Sequence, residues 1–469
     1  MTGQPSELAD WTATELTAGY RAGSVSPVEA TRAALDRIER YDTTYNAYCL
    51  VDPDRALAQA RESEARWSAG EPIGPLDGVP TSIKDLLLTQ GWPTLRGSLN
   101  ISPDQEWSVD APATARLRES GAVLLGKTTT PELGWKGVTD NPLTGVTRNP
   151  WDPSRTPGGS SGGAATAVAL GMGALAIGTD GGGSVRIPAG FSGVVGMKMT
   201  YGRVPHYPAS PFGTLAHVGP MSWSVDDAAL MLDVITGFDP RDWSALEPPS
   251  ASYVSSLRAG VAGLRVAYSA DLGYVDVDPE IADLVSSAVD VLASLGAEVE
   301  AADPGFTDPV EAYHALWFSG VAKVTEHLTP DQRARMDPAL REVCEMGAGL
   351  SALDYLGATA ERMVLGRLMG EFHERFDLLV TPTLPLAAFE AGLEAPSGWG
   401  SPRWTSWTPF SYPFNMTQQP AVSVPCGFTS AGLPAGLQIV GPRHADGRVL
   451  AAAKAYQDAA SWLGKRSSP

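Results

Sequence analysis

Residues 156–188 read TPGGSSGGAATAVALGMGALAIGTDGGGSVRIP and hold two glycine-rich turns, GGSSGG and DGGGS, joined by an apolar segment of small residues. Each turn presents a serine, Ser160 in the first and Ser184 in the second. Glycine permits positive φ angles and lets backbone N–H groups approach a ligand closely. Ser184, which ends a run of three glycines, is therefore suited to be a nucleophile beside oxyanion-binding N–H groups.

The second turn carries its own candidate support. The apolar run 174–179 is typical of a strand that ends at Asp180, and Arg186 follows the turn. A carboxylate and a guanidinium on either side of one turn can pair. We expect Asp180 and Arg186 to fix the backbone around Ser184 in this way.

Composition excludes several classes of protein. Of 469 residues, 43% are apolar and 19% are charged, which describes a soluble globular protein. The net charge of −19 repels phosphate backbones and anionic membranes, so we expect neither as a partner. No apolar run reaches the roughly 18 residues of a membrane span, and the opening MTGQPSELAD does not have the pattern of a signal peptide. The sequence predicts a cytoplasmic protein that acts on small molecules, as a monomer or a homodimer.

Cysteine and histidine spacing points away from disulfides and metal centres. Cys49, Cys344 and Cys426 are scattered without a CxxC pair, as expected in a reducing compartment. The six histidines lack metal-binding spacing such as HxxxH, and each is interpreted as a surface or hydrogen-bonded residue. We expect an enzyme that uses no metal and no organic cofactor.

Three strings match motifs of other protein classes. GAVLLGKT (121–128) fits the P-loop pattern, but its apolar centre is typical of a buried strand and Pro131 follows soon after. GMGALA (171–176) fits GxGxxA, but small helix-forming residues precede it. GGSSG (158–162) fits the GxSxG motif of α/β-hydrolases, but turn formers precede it and His444 is the one histidine late in the chain. We interpret the first two as structural, and the third is weak taken alone.

Hydrophobic periodicity predicts strands that alternate with helices, and hence α/β layering around one mixed sheet. The region of about 1–70 is predicted to be helical, with a capping box from Ser26 to Glu29. The segments LRVAYS and AEVEAAD flank a predicted helix over 279–295. That order predicts a crossover between neighbouring parallel strands. Further long helices are predicted within about 305–375.

Seven segments together resemble the amidase signature family, in the order that the family has them and over nearly the whole chain. They are GVPTSIKD, GKTTTPELG, TRNPWDPSRTPGGSSGGAA, GTDGGGSVRIPAGFSGVVGMKMTYGRVP, DLLVTPTLP, PFNMTQQPAVSVP and GLPAGLQIVG. The resemblance implies the amidase-signature fold, a single large mixed β-sheet core covered by helices on both faces. It implies one amidase domain over 1–469, with the signature core at about 75–225 and a variable helical insert at about 305–375.

The resemblance also implies a catalytic Ser–cisSer–Lys triad. Ser184 would be the nucleophile, Ser160 the bridging serine, preceded by a cis peptide bond in the family, and Lys84 the base. The oxyanion hole would be formed by the backbone N–H groups of Gly181, Gly182, Gly183 and Ser184. The physical requirement is a neutral lysine, which burial favours by lowering its pKa. Lys84 sits in a mostly apolar predicted strand, VPTSIKDLLL, although Asp85 beside it could oppose the shift.

Substrate contacts are predicted from two segments. In the family the segment that begins at the end of KTTTPELG lines the acyl pocket, which gives Gly134, the last residue of that string, with Trp135 and Thr139 here. A late loop over 399–414 carries six aromatic residues among Gly, Ser and Pro, and Trp407 and Phe410 are its candidate contacts. We hypothesise an aromatic-walled funnel for aryl or otherwise apolar amides, with carbamates (urethanes) and esters as side substrates.

Two alternatives remain open. Within the family, the chain could be the glutaminase-type subunit of a tRNA-dependent amidotransferase, although DQRARMDPALREVCEMG (331–347) stands where that subunit usually carries an FGxEVKRR-like segment. From another class, a nucleotide-binding protein would rest on GAVLLGKT alone.

Overall fold

The computed structural model describes residues 7–460. Within this range thirteen strands form two sheets, and eleven of the strands join one large mixed sheet. The strands are β1 (Tyr48–Val51), β2 (Pro80–Lys84), β3 (Val123–Thr128), β4 (Asp140–Asn141), β5 (Gly145–Val146), β6 (Leu175–Asp180), β7 (Val195–Lys198), β8 (His217–Ser222), β9 (Arg265–Tyr268), β10 (Glu298–Ala301), β11 (Leu378–Pro382), β12 (Ala421–Phe428) and β13 (Pro434–Val440). The order in the large sheet is β1-β3-β2-β6-β8-β7-β12-β13-β11-β9-β10, and β4 pairs with β5 separately.

Strand direction in the large sheet brings the segments that carry Lys84 and Ser184 together. β2 runs parallel to β6 with Ile83 opposite Ile177, so the carboxyl ends of both strands lie at the same edge. β2 ends at Lys84, and β6 leads into the glycine turn before Ser184. A second parallel group, β11-β9-β10, lies on the far side of the antiparallel strands. The predicted α/β class with one large mixed sheet is confirmed.

Helices cover both faces of this sheet. Within residues 7–460 they are α1 (Ala13–Ala22), α2 (Pro27–Tyr45), α3 (Pro53–Ala69), α4 (Pro112–Glu119), α5 (Gly162–Ala169), α6 (Arg186–Ser192), α7 (Val225–Ile235), α8 (Tyr253–Ser256), α9 (Pro279–Ser294), α10 (Val310–Thr325), α11 (Pro330–Ala334), α12 (Pro338–Ala348), α13 (Ala352–Arg375), α14 (Tyr412–Met416) and α15 (Asp446–Ala459).

Alternate side chains along a strand pack into different apolar clusters of the core. In β11, Leu378 and Val380 pack into one apolar cluster with residues of α9 and α15. Leu379, between them, packs into a second cluster with residues of α10 and α13. This period of two, with both sets buried, is what a sheet covered on both faces requires.

The sequence-based element predictions mostly agree with the structure. β9, α9 and β10 form the predicted crossover between parallel neighbours. Ser26 makes the predicted capping box with Glu29 at the start of α2. The N-terminal region is not wholly helical, however, because the apolar segment Tyr48–Val51 pairs as an edge strand with β3.

The P-loop-like string is a strand. Its residues Val123–Thr128 are β3, which is buried throughout, and Lys127 donates to the Leu87 carbonyl (2.7 Å) and the Thr94 hydroxyl (2.8 Å). A lysine fixed in this way inside the sheet is a structural residue.

The predicted insert consists of α10 to α13, and α10 packs against α12 and α13. In the part of the chain that the structure describes, no helix combines the length and apolar character needed to cross a bilayer. Most of the opening segment judged against signal peptides, residues 1–6, lies outside the described residues.

Candidate active site

Lys84 lies at the buried end of β2 and is surrounded by hydroxyl groups. Its Nζ donates to Oγ of Ser160 (2.7 Å), Oγ of Ser161 (2.8 Å) and Oγ1 of Thr179 (2.8 Å). The side chain is fully buried. Ser161 and Thr179 were not among the predicted site residues, although each is a chain neighbour of one that was.

Burial lowers the pKa of Lys84 well below its ordinary value, and the charge of Asp180 opposes the shift. Hydroxyl neighbours can accept a hydrogen bond from the ammonium or donate one to the neutral amine, so they do not lock the charged form. Asp85, expected to oppose the shift, acts elsewhere, since its carboxylate faces Lys127 at 3.6 Å. Lys84 is therefore suited to accept a proton.

The turn that presents Ser160 is shaped by two glycines. Gly158 and Gly159 have φ angles of 72° and 60°, a region that other residues occupy at a cost. Thr139 Oγ1 closes the turn by donating to the Gly159 carbonyl (2.7 Å) and accepting from Gly162 N–H (3.0 Å).

The peptide bond before Ser160 differs from the family expectation. Within residues 7–460 the one cis peptide bond is Tyr207–Pro208, so the Gly159–Ser160 bond is trans and the expected cis bond is wrong for this structure. A non-proline cis bond costs about 3–4 kcal/mol. The two glycines at positive φ form the turn without it.

Ser184 lies directly beside the first turn. Its Oγ accepts a hydrogen bond from the backbone N–H of Ser160 at 2.9 Å. Both side chains are almost fully buried. Because such a donor stabilises an alkoxide more than a neutral hydroxyl, it favours loss of the Ser184 proton.

One of the four N–H groups predicted for the oxyanion hole is already hydrogen-bonded within the protein. The Gly183 N–H donates to Asp180 Oδ1 at 2.8 Å, so it is engaged within the protein. For the N–H groups of Gly181, Gly182 and Ser184, no protein acceptor is found among residues 7–460. These three remain as candidate donors to an oxyanion.

Large side chains pack against the glycine turn and explain its composition. A Cβ on Gly181 would lie 2.7 Å from Trp317, and one on Gly182 would lie 2.7 Å from Trp404. The Gly182 carbonyl accepts from the Ser411 hydroxyl at 2.6 Å. These large side chains therefore pack closely against the turn, and a side chain at either glycine would displace it.

Asp180 and Arg186 form the predicted pair. Arg186 Nε and a terminal nitrogen each approach the carboxylate at 3.0 Å, and both side chains are fully buried. Burial alone would raise the pKa of Asp180, but Arg186, Lys198 and the Asn415 amide together hold it below its ordinary range. Arg186 also donates to Gln438 (2.8 Å), so the pair ties the turn to β13.

A cavity of about 300 Å³ opens onto both turns. It is lined by Leu86, Arg96, Leu133, Gly134, Ser160, Thr179, Gly181, His206, Pro208, Ala209, Ser210, Pro211, Phe212, Ala216, Trp317, Lys323 and Val324. Its aromatic wall is the pair Phe212–Trp317, whose rings stack with centroids 3.5 Å apart. The loop 206–212 and α10 were not predicted to contact substrate.

Of the three residues predicted to line the acyl pocket, Gly134 lines this cavity. Trp135 is fully buried, and its carbonyl accepts from Trp317 Nε1 at 2.9 Å. Thr139 is the residue that closes the Ser160 turn. Trp135 and Thr139 therefore support the site from behind its walls.

The aromatic residues of the late loop are mostly core. Trp407 and Phe410 are fully buried, and Trp407 stacks on Phe191 with 5.8 Å between ring centroids. The described cavity does not reach either of them. The aromatic surface expected from this loop is supplied by Phe212 and Trp317 instead.

Comparisons with known proteins show which family this chain resembles. The family model described as Amidase matches residues 29–450. An acylamidase of Rhodococcus erythropolis is 39% identical over 462 residues, which cover 97% of this chain and 96% of that protein. A glutamyl-tRNA(Gln) amidotransferase subunit of Moorella thermoacetica is 37% identical, over 98% of this chain and 99% of that protein.

Solved structures give the same result. A bacterial aryl acylamidase of the amidase signature family superposes with a TM-score of 0.90 at 33% identity, over 96% of each chain. A 6-aminohexanoate cyclic dimer hydrolase complexed with its substrate has a TM-score of 0.89 at 30% identity, over 98% of this chain and 99% of that one. The chain therefore belongs to the amidase signature family and is an amide-hydrolysing enzyme.

Proposed function

We propose that this enzyme cleaves the C–N bond of carboxylic amides through an acyl-enzyme on Ser184, with Ser160 as proton relay and Lys84 as base. The observation that carries the proposal is the buried chain of contacts from Lys84 Nζ to Ser160 Oγ (2.7 Å) and from the Ser160 N–H to Ser184 Oγ (2.9 Å). A serine needs an adjacent base at neutral pH, and a lysine serves only when it is neutral.

The proposed reaction moves each proton among Ser184, Ser160 and Lys84. Ser184 Oγ bonds to the carbonyl carbon, and the carbonyl electron pair moves to oxygen, where the N–H groups of Gly181, Gly182 and Ser184 hold it. The Ser184 proton passes to Ser160 Oγ as Ser160 gives its own to Lys84. When the tetrahedral intermediate collapses, the C–N bond breaks and the proton returns through Ser160 to the leaving nitrogen. Water, deprotonated along the same route, then hydrolyses the acyl ester and restores Ser184.

Aryl or otherwise apolar amides are the proposed substrates, with carbamates and esters as side substrates. The stacked Phe212–Trp317 pair and the side chains of Leu86 and Leu133 give the cavity an apolar wall. The two acylamidase relatives support the same class. Carbamates and esters present the same carbonyl to Ser184, so the mechanism extends to them without a new group.

The glutaminase-type role remains the second candidate, because the amidotransferase subunit of Moorella thermoacetica is 37% identical over nearly the whole chain. Against it stands the segment 331–347, which lacks the FGxEVKRR-like pattern. Ammonia release from glutamine, measured beside anilide hydrolysis, separates the two roles. The nucleotide-binding alternative has lost its support, because its lysine, Lys127, is enclosed in β3.

We also propose that the whole chain works as one amidase domain, as a monomer or homodimer in the cytoplasm. The eleven strands of the large sheet come from residues 48–440 and form one continuous sheet, which supports the single domain.

The test compares hydrolysis of an anilide, an aliphatic amide, an aryl carbamate and an ester. We expect Ser184→Ala and Lys84→Ala to abolish turnover of all four while circular dichroism keeps the wild-type spectrum. Ser286→Ala, an exposed serine of α9, is the matched control and should retain wild-type rates. Wild-type rates in folded Ser184→Ala would overturn the assignment, and a preference for small charged amides in the wild type would overturn the substrate class.

A further inference from the structure

The charges that line the cavity have one sign. Its charged lining residues, Arg96 and Lys323, are both basic, and no acidic side chain is among the described residues that line it. The protein as a whole has a net charge of −19. The charged side chains of the cavity lining are therefore opposite in sign to the net charge of the protein.

Arg96 is held in an uncommon backbone conformation. Its φ angle is 54°, a region that non-glycine residues occupy at a cost of roughly 1–3 kcal/mol and that clusters at functional sites. The surroundings fix this conformation. The Arg96 carbonyl accepts from Leu133 N–H at 2.8 Å, and the N–H groups of Leu95, Arg96 and Gly97 act on the buried Asp85 carboxylate.

The guanidinium of Arg96 has no ion-pair partner among residues 7–460. Burial lowers its pKa, and the opposing charge is that of Asp85, which already lies 3.6 Å from Lys127. Arg96 is partly buried and lines the cavity, and its guanidinium carries five donors with no protein acceptor among the described residues. These donors are available to an anionic ligand in the cavity.

His206 lines the same cavity as Arg96. Burial lowers its pKa to about 4, Asp242 opposes the shift, and the charges of Arg96 and Lys84 lower it further. His206 is therefore uncharged at neutral pH and adds no charge of its own to the cavity lining.

We propose that Arg96 is a specificity residue that binds a carboxylate carried by the amide substrate, separated from the scissile carbonyl by an apolar or aryl spacer. This deepens the proposed function and rests on it, because the cavity must be the acyl-transfer site. The planar fork of Arg96 matches a carboxylate with two parallel hydrogen bonds. Phe212, Trp317 and Leu133 provide the apolar surface for the spacer. Lys323, whose side chain is 75% exposed and pairs with Glu326, contributes only weakly at the rim.

Two matched pairs of anilides test the proposal. Succinanilate is compared with 4-methylpentananilide, where an isopropyl group of similar shape replaces a carboxylate on the acyl side. 4-Acetamidobenzoate is compared with 4-isopropylacetanilide, where the same exchange is made on the amine side. For wild type, kcat/KM should favour the anionic member of at least one pair by about tenfold, as one charge-assisted pair provides, and added salt should reduce that preference.

Arg96→Gln should remove the preference, mainly through KM, and Arg96→Lys should retain part of it because the charge remains without the fork. Arg32→Gln, an exposed arginine of α2, makes the same change in net charge and should keep the wild-type ratio. An anionic-to-neutral ratio that is unchanged in both Arg96 variants, or a wild type that prefers the neutral member of both pairs, overturns the proposal alone. Failure of wild type to hydrolyse any of the four anilides overturns the proposed function, and this proposal with it.

Discussion

Replacing Gly182 with alanine tests whether the backbone of the second turn takes part in catalysis. The change adds one methyl group, and no positive φ is involved at this position, so the perturbation is steric. The new Cβ would strike the Tyr313 hydroxyl, and it would lie 2.7 Å from Trp404 Cη2 and 3.0 Å from Tyr313 Cζ. Carbon atoms attract best at about 3.5–4.0 Å, so the turn must move by roughly 1 Å.

A displacement of that size predicts the effect on rate. Misplacing reacting groups by about 1 Å costs on the order of 10²-fold, which equals about 2.7 kcal/mol of transition-state stabilisation. Loss of one oxyanion donor alone lowers the rate by about 10²–10³-fold, so the displaced turn and the lost donor predict rate losses of the same order of magnitude. We expect Gly182→Ala to lower kcat/KM for an anilide by at least a hundredfold.

The assay is steady-state anilide hydrolysis beside thermal unfolding. Gly357→Ala in α13 is the matched control, because that glycine is exposed and a Cβ there meets nothing within 4 Å. The control should retain wild-type kcat/KM. Tyr313→Phe, which removes the struck hydroxyl, should restore part of the activity of Gly182→Ala. Wild-type kcat/KM in folded Gly182→Ala would refute the assigned role of the turn.

Three further predictions concern charge and metal. Asp180→Asn leaves Arg186 buried without its partner and should lower the free energy of unfolding by about 3–5 kcal/mol, whereas Asp239→Asn in the exposed pair with Arg241 should cost no more than about 1 kcal/mol. Because the pKa of Asp180 lies below its ordinary value, the stability lost in Asp180→Asn should be full above about pH 4 and should shrink as the pH falls further. Urea unfolding of both variants at several pH values checks both points, and equal losses of stability in the two variants would contradict them. kcat/KM should rise with pH through an apparent pKa below the ordinary lysine value, since burial lowers the pKa of Lys84 and the neutral amine is the base; a rate independent of pH would count against that role. No group of three or more metal-ligating side chains lies together among residues 7–460, so EDTA should leave kcat/KM unchanged. A loss of activity in EDTA that added metal restores would contradict a metal-independent site.

The residues proposed for catalysis could be chosen from the sequence because each is identified by its own chemical type. Ser160 and Ser184 stand in glycine turns that few other functions require, and Lys84 sits in an apolar predicted strand, so their proposed roles follow from motif and resemblance. Asp180 and Arg186 flank one turn, and their pairing required no long-range information.

Contacts that depend on strand order could not be predicted. Thr179 reaches Lys84 only because β6 lies beside β2, and Asp85 serves Lys127 because β3 lies on the other side of β2. Sequence proximity alone assigned Asp85 to Lys84.

The residues that form the aromatic wall of the cavity could not be predicted, for a physical reason. Aromatic residues fill a core and line a pocket with the same chemistry, so the composition of 399–414 did not distinguish the two. Trp407 and Phe410 fill space behind the turns, while Phe212 and Trp317 meet across a long stretch of chain to form the wall. The packing of α10 against the loop 206–212 determines which aromatic residues line the cavity.

The identity of the acylated serine tests the central claim most directly. An aryl carbamate should leave a slowly hydrolysed carbamoyl group on the enzyme, which intact-protein mass spectrometry detects. Trypsin leaves Ser160 and Ser184 on one peptide, residues 156–186, and cleavage before Asp180 separates them. The proposed mechanism predicts the added mass on the fragment DGGGSVR, which contains Ser184. Mass on the fragment 156–179, which contains Ser160, would contradict it.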